Sequence, residues 1–143
     1  MPFNAKKFVK NINNQQWDNV EKLFHKNVEF SNPFCPTPVK GVGKVKEVMS
    51  EEIHVLPNYE YRLVKYFMDD ETASIELERK GGKIIWKGLP YVVQYKIPEV
   101  MLLDFKDGKI SRVRGIFDAG HIMRGLEKAM EEKDKQDLLG RDE

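Results

Sequence analysis

Cysteine is nearly absent: Cys35 is the only one in 143 residues, so no internal disulfide can form, and no Cys/His cluster has the spacing of a structural zinc site. Such a chain suits a reducing compartment, and the cytoplasm is its expected address. An excess of either charge is missing too. Lys plus Arg number 24 and Asp plus Glu 23, a net charge of +1, which leaves no field to hold nucleic acid or an anionic membrane surface. Long apolar runs are also lacking. Val100-Met-Leu-Leu103 falls far short of the roughly 20 residues of a membrane span, and the first ten residues lack the apolar run of roughly 7 to 15 that a secretion signal needs. Neither a membrane nor a nucleic acid is therefore expected as a partner.

What is present is a globular balance, 41% apolar and 33% charged residues, in a chain long enough for one core and too short for two. Asn4 is an N-cap, after which Phe8, Val9 and Ile12 recur at helical spacing; Trp17, Val20, Leu23 and Phe24 repeat the pattern after Asn13-Asn14. Val28-Glu-Phe30 reads as a brief strand, followed by a loop in which Pro33, Pro36 and Pro38 oppose regular pairing. A third helix follows Gly41 and Gly43, carries Val45, Val48, Met49 and Ile53 on one stripe, and stops before Pro57.

Strand chemistry then takes over. Tyr59, Tyr61 and Leu63 alternate with Glu60 and Arg62, and Ala73, Ile75 and Leu77 alternate with Ser74, Glu76 and Glu78. Asp69-Asp70, Gly81-Gly82 and Asp107-Gly108 read as turns of an antiparallel meander. The runs Ile84 to Tyr95 and Val100 to Phe105 are apolar on both parities, so both faces of the sheet need cover. A last helix carries Ile122, Met123, Leu126, Ala129 and Met130 on one side. From Glu127 to Glu143 there are seven acids and four bases, with little to bury except Leu138 and Leu139. The expected organisation is one α+β domain over residues 1–130 and a charged, frayed helical tail over 131–143.

Phe8-Val-Lys-Asn-Ile-Asn-Asn-Gln-Gln-Trp-Asp-Asn-Val-Glu-Lys-Leu-Phe24, then Val28-Glu-Phe-Ser-Asn-Pro33, then Phe105-Lys-Asp-Gly-Lys-Ile110 and Ile116-Phe-Asp118 resemble, in order and spacing, the SnoaL-like branch of the nuclear transport factor 2 superfamily. The resemblance covers about residues 5–126. It implies a cone-shaped, curved antiparallel sheet wrapped around the N-terminal helices and closed by a C-terminal helix. It further implies an apolar cavity and a homodimer formed through the outer sheet face. Fold is not function, and the superfamily hosts isomerases, cyclases, dehydratases, hydrolases and non-catalytic modules.

Ketosteroid isomerases pair a base aspartate after the first strand with a tyrosine on the first helix and a protonated aspartate on a late strand. The corresponding positions here are Asn32, Phe8 and Met101, which can neither abstract the proton nor hold the oxyanion. Arg112-Val-Arg114 likewise lacks the Arg-x-Asp of limonene epoxide hydrolases. Asp118 matches the aromatic-Asp ending where polyketide-cyclase relatives place an acid/base aspartate, and His121 follows three residues later, so this pair is the candidate catalytic centre. Asp118 also reads as the N-cap of the last helix. Trp86, Tyr61, Asn32, His54 and Phe8 are the candidate ligand contacts. Against that, Trp86 and Tyr61 equally suit the core, and His54 suits a helix C-terminus through the dipole alone. Cys35 reads as a passive thiol.

The sequence thus points to a cofactor-independent binder of a small hydrophobic or ring-bearing molecule, with isomerase, cyclase or lyase chemistry by general acid/base catalysis. The alternative is a non-catalytic interaction or dimerisation module of the same fold. No metal or other cofactor is expected.

Overall fold

The computed structural model describes residues 3–141, with side chains through Leu139. Helix α1 (Ala5–Asn13) begins where the Asn4 side chain accepts the Lys7 amide proton at 3.0 Å, and it buries Ala5, Phe8, Val9 and Ile12 on one face. A short helix α2 (Trp17–Glu21) follows, then strands β1 (Phe24–Asn32) and β2 (Cys35–Lys40), helix α3 (Val42–Val55), strands β3 (Glu60–Met68), β4 (Thr72–Trp86), β5 (Leu89–Lys106) and β6 (Lys109–Phe117), and helix α4 (Ala119–Arg141).

The strands form one curved, unclosed sheet in the order β2-β1-β6-β5-β4-β3. All neighbours are antiparallel except β1 and β6, which run parallel and bring the two ends of the sequence together. The α+β class and the sheet wrapped over N-terminal helices agree with the sequence reading. The inner face packs on α1, α2 and α3 around Phe8, Ile12, Val28, Val45, Ile75, Leu103 and Val113. A second cluster lies under α4, where Ile122 and Leu126 meet Ile84, Val93, Ile97, Phe117 and Leu56. Each such fully buried aliphatic or aromatic side chain contributes about 1.5–3 kcal/mol through burial.

Three local expectations need correction. The proline-containing segment is not a loop: Cys35–Lys40 pairs with β1, and it tolerates Pro36 and Pro38 because β2 is the sheet edge, where missing amide donors cost nothing in the ladder. The first strand is three times as long as read and starts at Phe24, taking that residue from the helix. Gly81-Gly82 is not a turn. Both glycines lie inside β4, where the pairing shifts from Gly81–Tyr95 to Lys83–Val92, a bulge in which Gly82 alone opposes Val93 and Gln94 of β5. The reversal comes at Lys87-Gly88, both with positive φ (51° and 79°), and this turn splits the run read as one strand from Ile84 to Tyr95. Asp107-Gly108 is a turn of the same kind, with φ of 54° and 74°. At the C-terminus, α4 continues through Arg141, with Leu138 and Leu139 exposed.

Candidate functional site

Strand parity builds the site. Ala73, Ile75, Leu77 and Arg79 of β4 share the inward face, as do Tyr95, Ile97, Glu99, Met101 and Leu103 of β5. Two opposite charges therefore replace apolar residues on these inward stripes, Arg79 at the end of one and Glu99 in the middle of the other. Arg79 is 0% exposed and Glu99 2%. Arg79 Nε donates to Glu99 Oε1 at 2.8 Å, and Arg79 Nη2 donates to the Tyr61 hydroxyl at 2.6 Å and to Glu52 Oε2 at 3.2 Å. The Tyr61 hydroxyl in turn donates to Glu99 Oε2 at 2.8 Å. The guanidinium carbon lies 4.5 Å from the Phe117 ring centre, 4.7 Å from that of Tyr59 and 5.2 Å from that of Tyr61, so cation–π attraction adds to the ion pairs. Arg79 Nη1 and the Tyr95 hydroxyl are buried without a partner.

Each member is held from outside the cluster. Asn13, at the end of α1, exchanges two 2.8 Å hydrogen bonds with the Tyr61 backbone and so fixes the start of β3. Glu52 continues the Val45–Met49 stripe of α3 one turn further, which brings its carboxylate over the sheet. Asn32 Nδ2 donates to Glu52 Oε1 at 3.2 Å, while Asn32 Oδ1 accepts the amides of Phe34 and Cys35 at 2.9 and 2.8 Å. Gly115 leaves room for both: a Cβ there would sit 3.3 Å from Asn32 Cβ and 3.6 Å from Glu99 Oε2.

Burial dominates the titration of this cluster. It lifts Glu99 to about 6, with Arg79 and the Tyr61 hydroxyl pulling back down and Glu52 pushing up. Burial also raises the Tyr59 and Tyr61 phenols above their ordinary range and pushes Tyr95 up to about 12. A carboxyl that changes charge near neutrality, held by a tyrosine and an arginine, suits proton transfer.

A cleft of about 250 Å³ opens between α3 and the β1–β2 turn, lined mainly by Phe30, Phe34, Val48, Val55 and Leu56, with Glu52 and Asn32 at its inner end. Behind them a void of about 10 Å³ touches Glu52, Asn32, Tyr59, Tyr61 and Glu99, room for one water molecule at most. A larger depression of about 520 Å³ lies at the β4 bulge beside Lys80, Gln94 and Lys96. It is open and polar and its lysines are paired with Glu60 and Glu78, so the smaller apolar cleft that ends on buried charge is the candidate site.

Among the residues singled out from the sequence, Tyr61 and Asn32 stand within this cluster. Phe8 is 0% exposed and packs edge-on against Phe3, inside the core rather than on the cleft. Trp86 is half-buried beside the α4 cluster, at the far end of β4. His54 is exposed on α3 and does not line the cleft. Asp118 is the N-cap of α4: Oδ1 accepts the His121 amide proton at 3.2 Å, and its side chain is 66% exposed beside Arg124. His121 is exposed as well. On β6 it is Val113, Gly115 and Phe117 that face inward, so Asp118 sits on the outward parity. Sequence reasoning missed Arg79, Glu99 and Glu52, although Arg79 and Glu52 each extend an apolar stripe already read and Glu99 borders the apolar run Val100 to Phe105.

Among the described residues no group of three or more His, Cys, Asp or Glu side chains is placed to hold a metal ion, and no helix is long and apolar enough to cross a membrane. No curated protein matches the sequence. Solved structures do share the fold. A phenazine biosynthesis-related protein from Pseudomonas aeruginosa superposes with a TM-score of 0.68 at 21% identity, covering 85% of this chain and 84% of its own. A SnoaL-like polyketide cyclase from Agrobacterium tumefaciens gives 0.65 at 19% identity, covering 85% and 93%. A protein with a ketosteroid isomerase-like fold from Catenulispora acidiphila, in complex with trimethylamine, gives 0.70 at 12% identity, covering 85% and 89%. The SnoaL-like domain family model matches residues 5–113, and with the curved sheet and its inward-facing site in place, the chain belongs to the SnoaL-like domain family.

Proposed function

We propose that the protein binds a small, ring-bearing, largely apolar molecule in the cleft between α3 and the β1–β2 turn, and that it acts on it as a cofactor-independent isomerase, cyclase or lyase by general acid/base catalysis. The observation that carries this reading is an apolar cleft whose inner end leads, past Glu52 and Asn32, to a buried carboxyl that titrates at about 6. Glu52 and Asn32 are the polar contacts of the ligand. Glu99 holds or releases the proton across the water-sized void, and Arg79 and Tyr61 fix its carboxyl. Asp118 and His121 have no part in this reading, because α4 and bulk water occupy them.

The same reading takes the protein as a homodimer in the cytoplasm, where Cys35 stays reduced. Its outward sheet face supports a second copy: Ile116 is exposed beside half-buried Val100 and Leu102, and Arg114 Nε is buried there without a partner.

A thermal-shift panel of single-ring alcohols, ketones and amines tests the binding, since a ligand of the native state must raise the melting point. Binding should disappear in Val48→Trp, which fills the cleft, and persist in Asp118→Asn. Any compound turned over should lose about 10²–10⁴ in rate in Glu99→Gln. A panel with no shift, or binding that survives Val48→Trp, refutes the cleft as the site.

A further inference from the structure

Charge in and behind the cleft is one-sided. Its lining contains two carboxylates, Glu51 at the mouth and Glu52 at the inner end, and no lysine, arginine or histidine. Among the described residues the cation at its floor is Arg79, wholly buried behind Glu52: Nε holds Glu99, Nη2 is shared between Tyr61 and Glu52, and Nη1 is buried without a partner, away from the cleft lining. One guanidinium thus faces two carboxylates, with a third acid at the mouth. Apart from the Asn32 amide and the Cys35 thiol, the remaining cleft wall is apolar and includes Phe34, whose ring is partly exposed. An anionic ligand would enter against Glu51 and Glu52 and find Arg79 screened behind the latter. A cation would supply the missing charge, with an aromatic face beside it.

We propose that the ligand of this cleft is a protonated amine on a compact apolar body, its ammonium held by Glu52 and drawn in by Glu51 while its ring lies against Phe30, Phe34, Val48 and Leu56. This rests on the cleft being the binding site and specifies the chemical class it selects. Glu52 is suited to the task because Oε1 and Oε2 are already oriented by Asn32 and Arg79, so pairing needs no side-chain reordering. The volume of about 250 Å³ lies just below the range of about 300–1,000 Å³ that holds drug-sized ligands, which limits the body to one ring and a short side chain.

Three near-isosteric probes test the charge preference by calorimetry at pH 7.5: phenethylamine, phenethyl alcohol and phenylacetate. The amine should bind about tenfold or more tighter than the alcohol, as one charge-assisted hydrogen bond provides, and the carboxylate weakest. Amine affinity alone should fall with added salt. Glu52→Gln should bring amine and alcohol to equal affinity while alcohol binding persists. Because Glu52 also contacts Arg79, Glu51→Gln serves as a second variant. It leaves the buried cluster intact and should weaken the amine severalfold at low salt only. Equal binding of amine and alcohol to the native protein, or preference for the carboxylate, overturns the proposal while leaving the cleft as a binding site. If none of the three binds, and Val48→Trp changes nothing in the wider panel, the cleft itself is refuted and this proposal with it.

Discussion

Replacing Arg79 by methionine keeps most of the buried volume and removes the one charge that compensates Glu99. At pH 8 Glu99 is ionised, 2% exposed and left with the Tyr61 hydroxyl alone. Breaking a buried pair from one side in this way costs about 3–5 kcal/mol. At pH 5 the outcome differs. The native carboxyl already titrates at about 6 against an ordinary 4.5, and loss of Arg79 moves it further up, so at pH 5 it is protonated and neutral. The cost then shrinks to the lost hydrogen bonds, about 1–2 kcal/mol. In the unsubstituted protein the raised value means that the folded state binds the extra proton. Glu99 therefore contributes stability below about pH 4.5 that is lost as pH rises through about 6, some 2 kcal/mol in all. Urea unfolding at pH 5 and pH 8, followed by the fluorescence of half-buried Trp17 and Trp86, measures both effects. Arg79→Met should be more destabilising at pH 8 by about 2–3 kcal/mol, the difference between those two costs, and Arg79→Met/Glu99→Gln should abolish most of that pH dependence. A loss that is equal at the two pH values, or below about 1 kcal/mol at pH 8, would refute the argument that Glu99 is held ionised by Arg79.

Two further outcomes follow from packing. A Cβ at Gly81 would collide with the Tyr95 hydroxyl and Cζ and lie 2.8 Å from Cε1, and Tyr95 is fixed under α4. Gly81→Ala should thus destabilise by about 1–3 kcal/mol in the same unfolding assay, with recovery in Gly81→Ala/Tyr95→Leu; an alanine variant as stable as the parent would show that the bulge is pliable. On the outer face, light scattering after size-exclusion chromatography should give a dimer mass at micromolar concentration and a monomer mass for Ile116→Asp. A monomeric parent protein would remove the second copy from the outer sheet face.

The elements most legible from sequence were those where one period dominates. Phe8, Val9 and Ile12 mark α1, and the alternation Ala73-Ile75-Leu77 marks β4 with its inward face. The misreadings share a cause: local residue chemistry was overridden by position in the sheet. Pro36 and Pro38 oppose pairing in a central strand but not at an edge, and edge position is a property of the strand order, which no local pattern contains. Gly81-Gly82 has the chemistry of a turn, yet it serves to let the backbone pass the Tyr95 ring. The actual reversal carries Lys87 at positive φ, a residue with no turn signature.

The site was hidden for a different reason. The positions that the resemblance marks for acid/base residues, after the first strand and at the end of the last, hold an amide at Asn32 and a helix cap at Asp118. Arg79 and Glu99 escaped because an isolated charged residue at the border of an apolar run normally marks the point where a strand emerges into water. Here both strands run on for seven or more residues in the direction of the bulge, Arg79 to Trp86 and Glu99 back to Leu89. The sheet is still covered on its inner face at that point, by α3, α4 and Phe117. Charge can remain there only if it is paired, and three elements each supply one part: Arg79 from β4, Glu99 from β5 and Glu52 from α3. The informative signal was the coincidence of opposite charges on the inward parity of two predicted strands, with an acid one turn beyond a helical apolar stripe. Each of these residues alone reads as solvated surface. Together they can be buried only as a cluster, and a cluster with more acid than base, placed behind an apolar opening, sets the charge of whatever it admits.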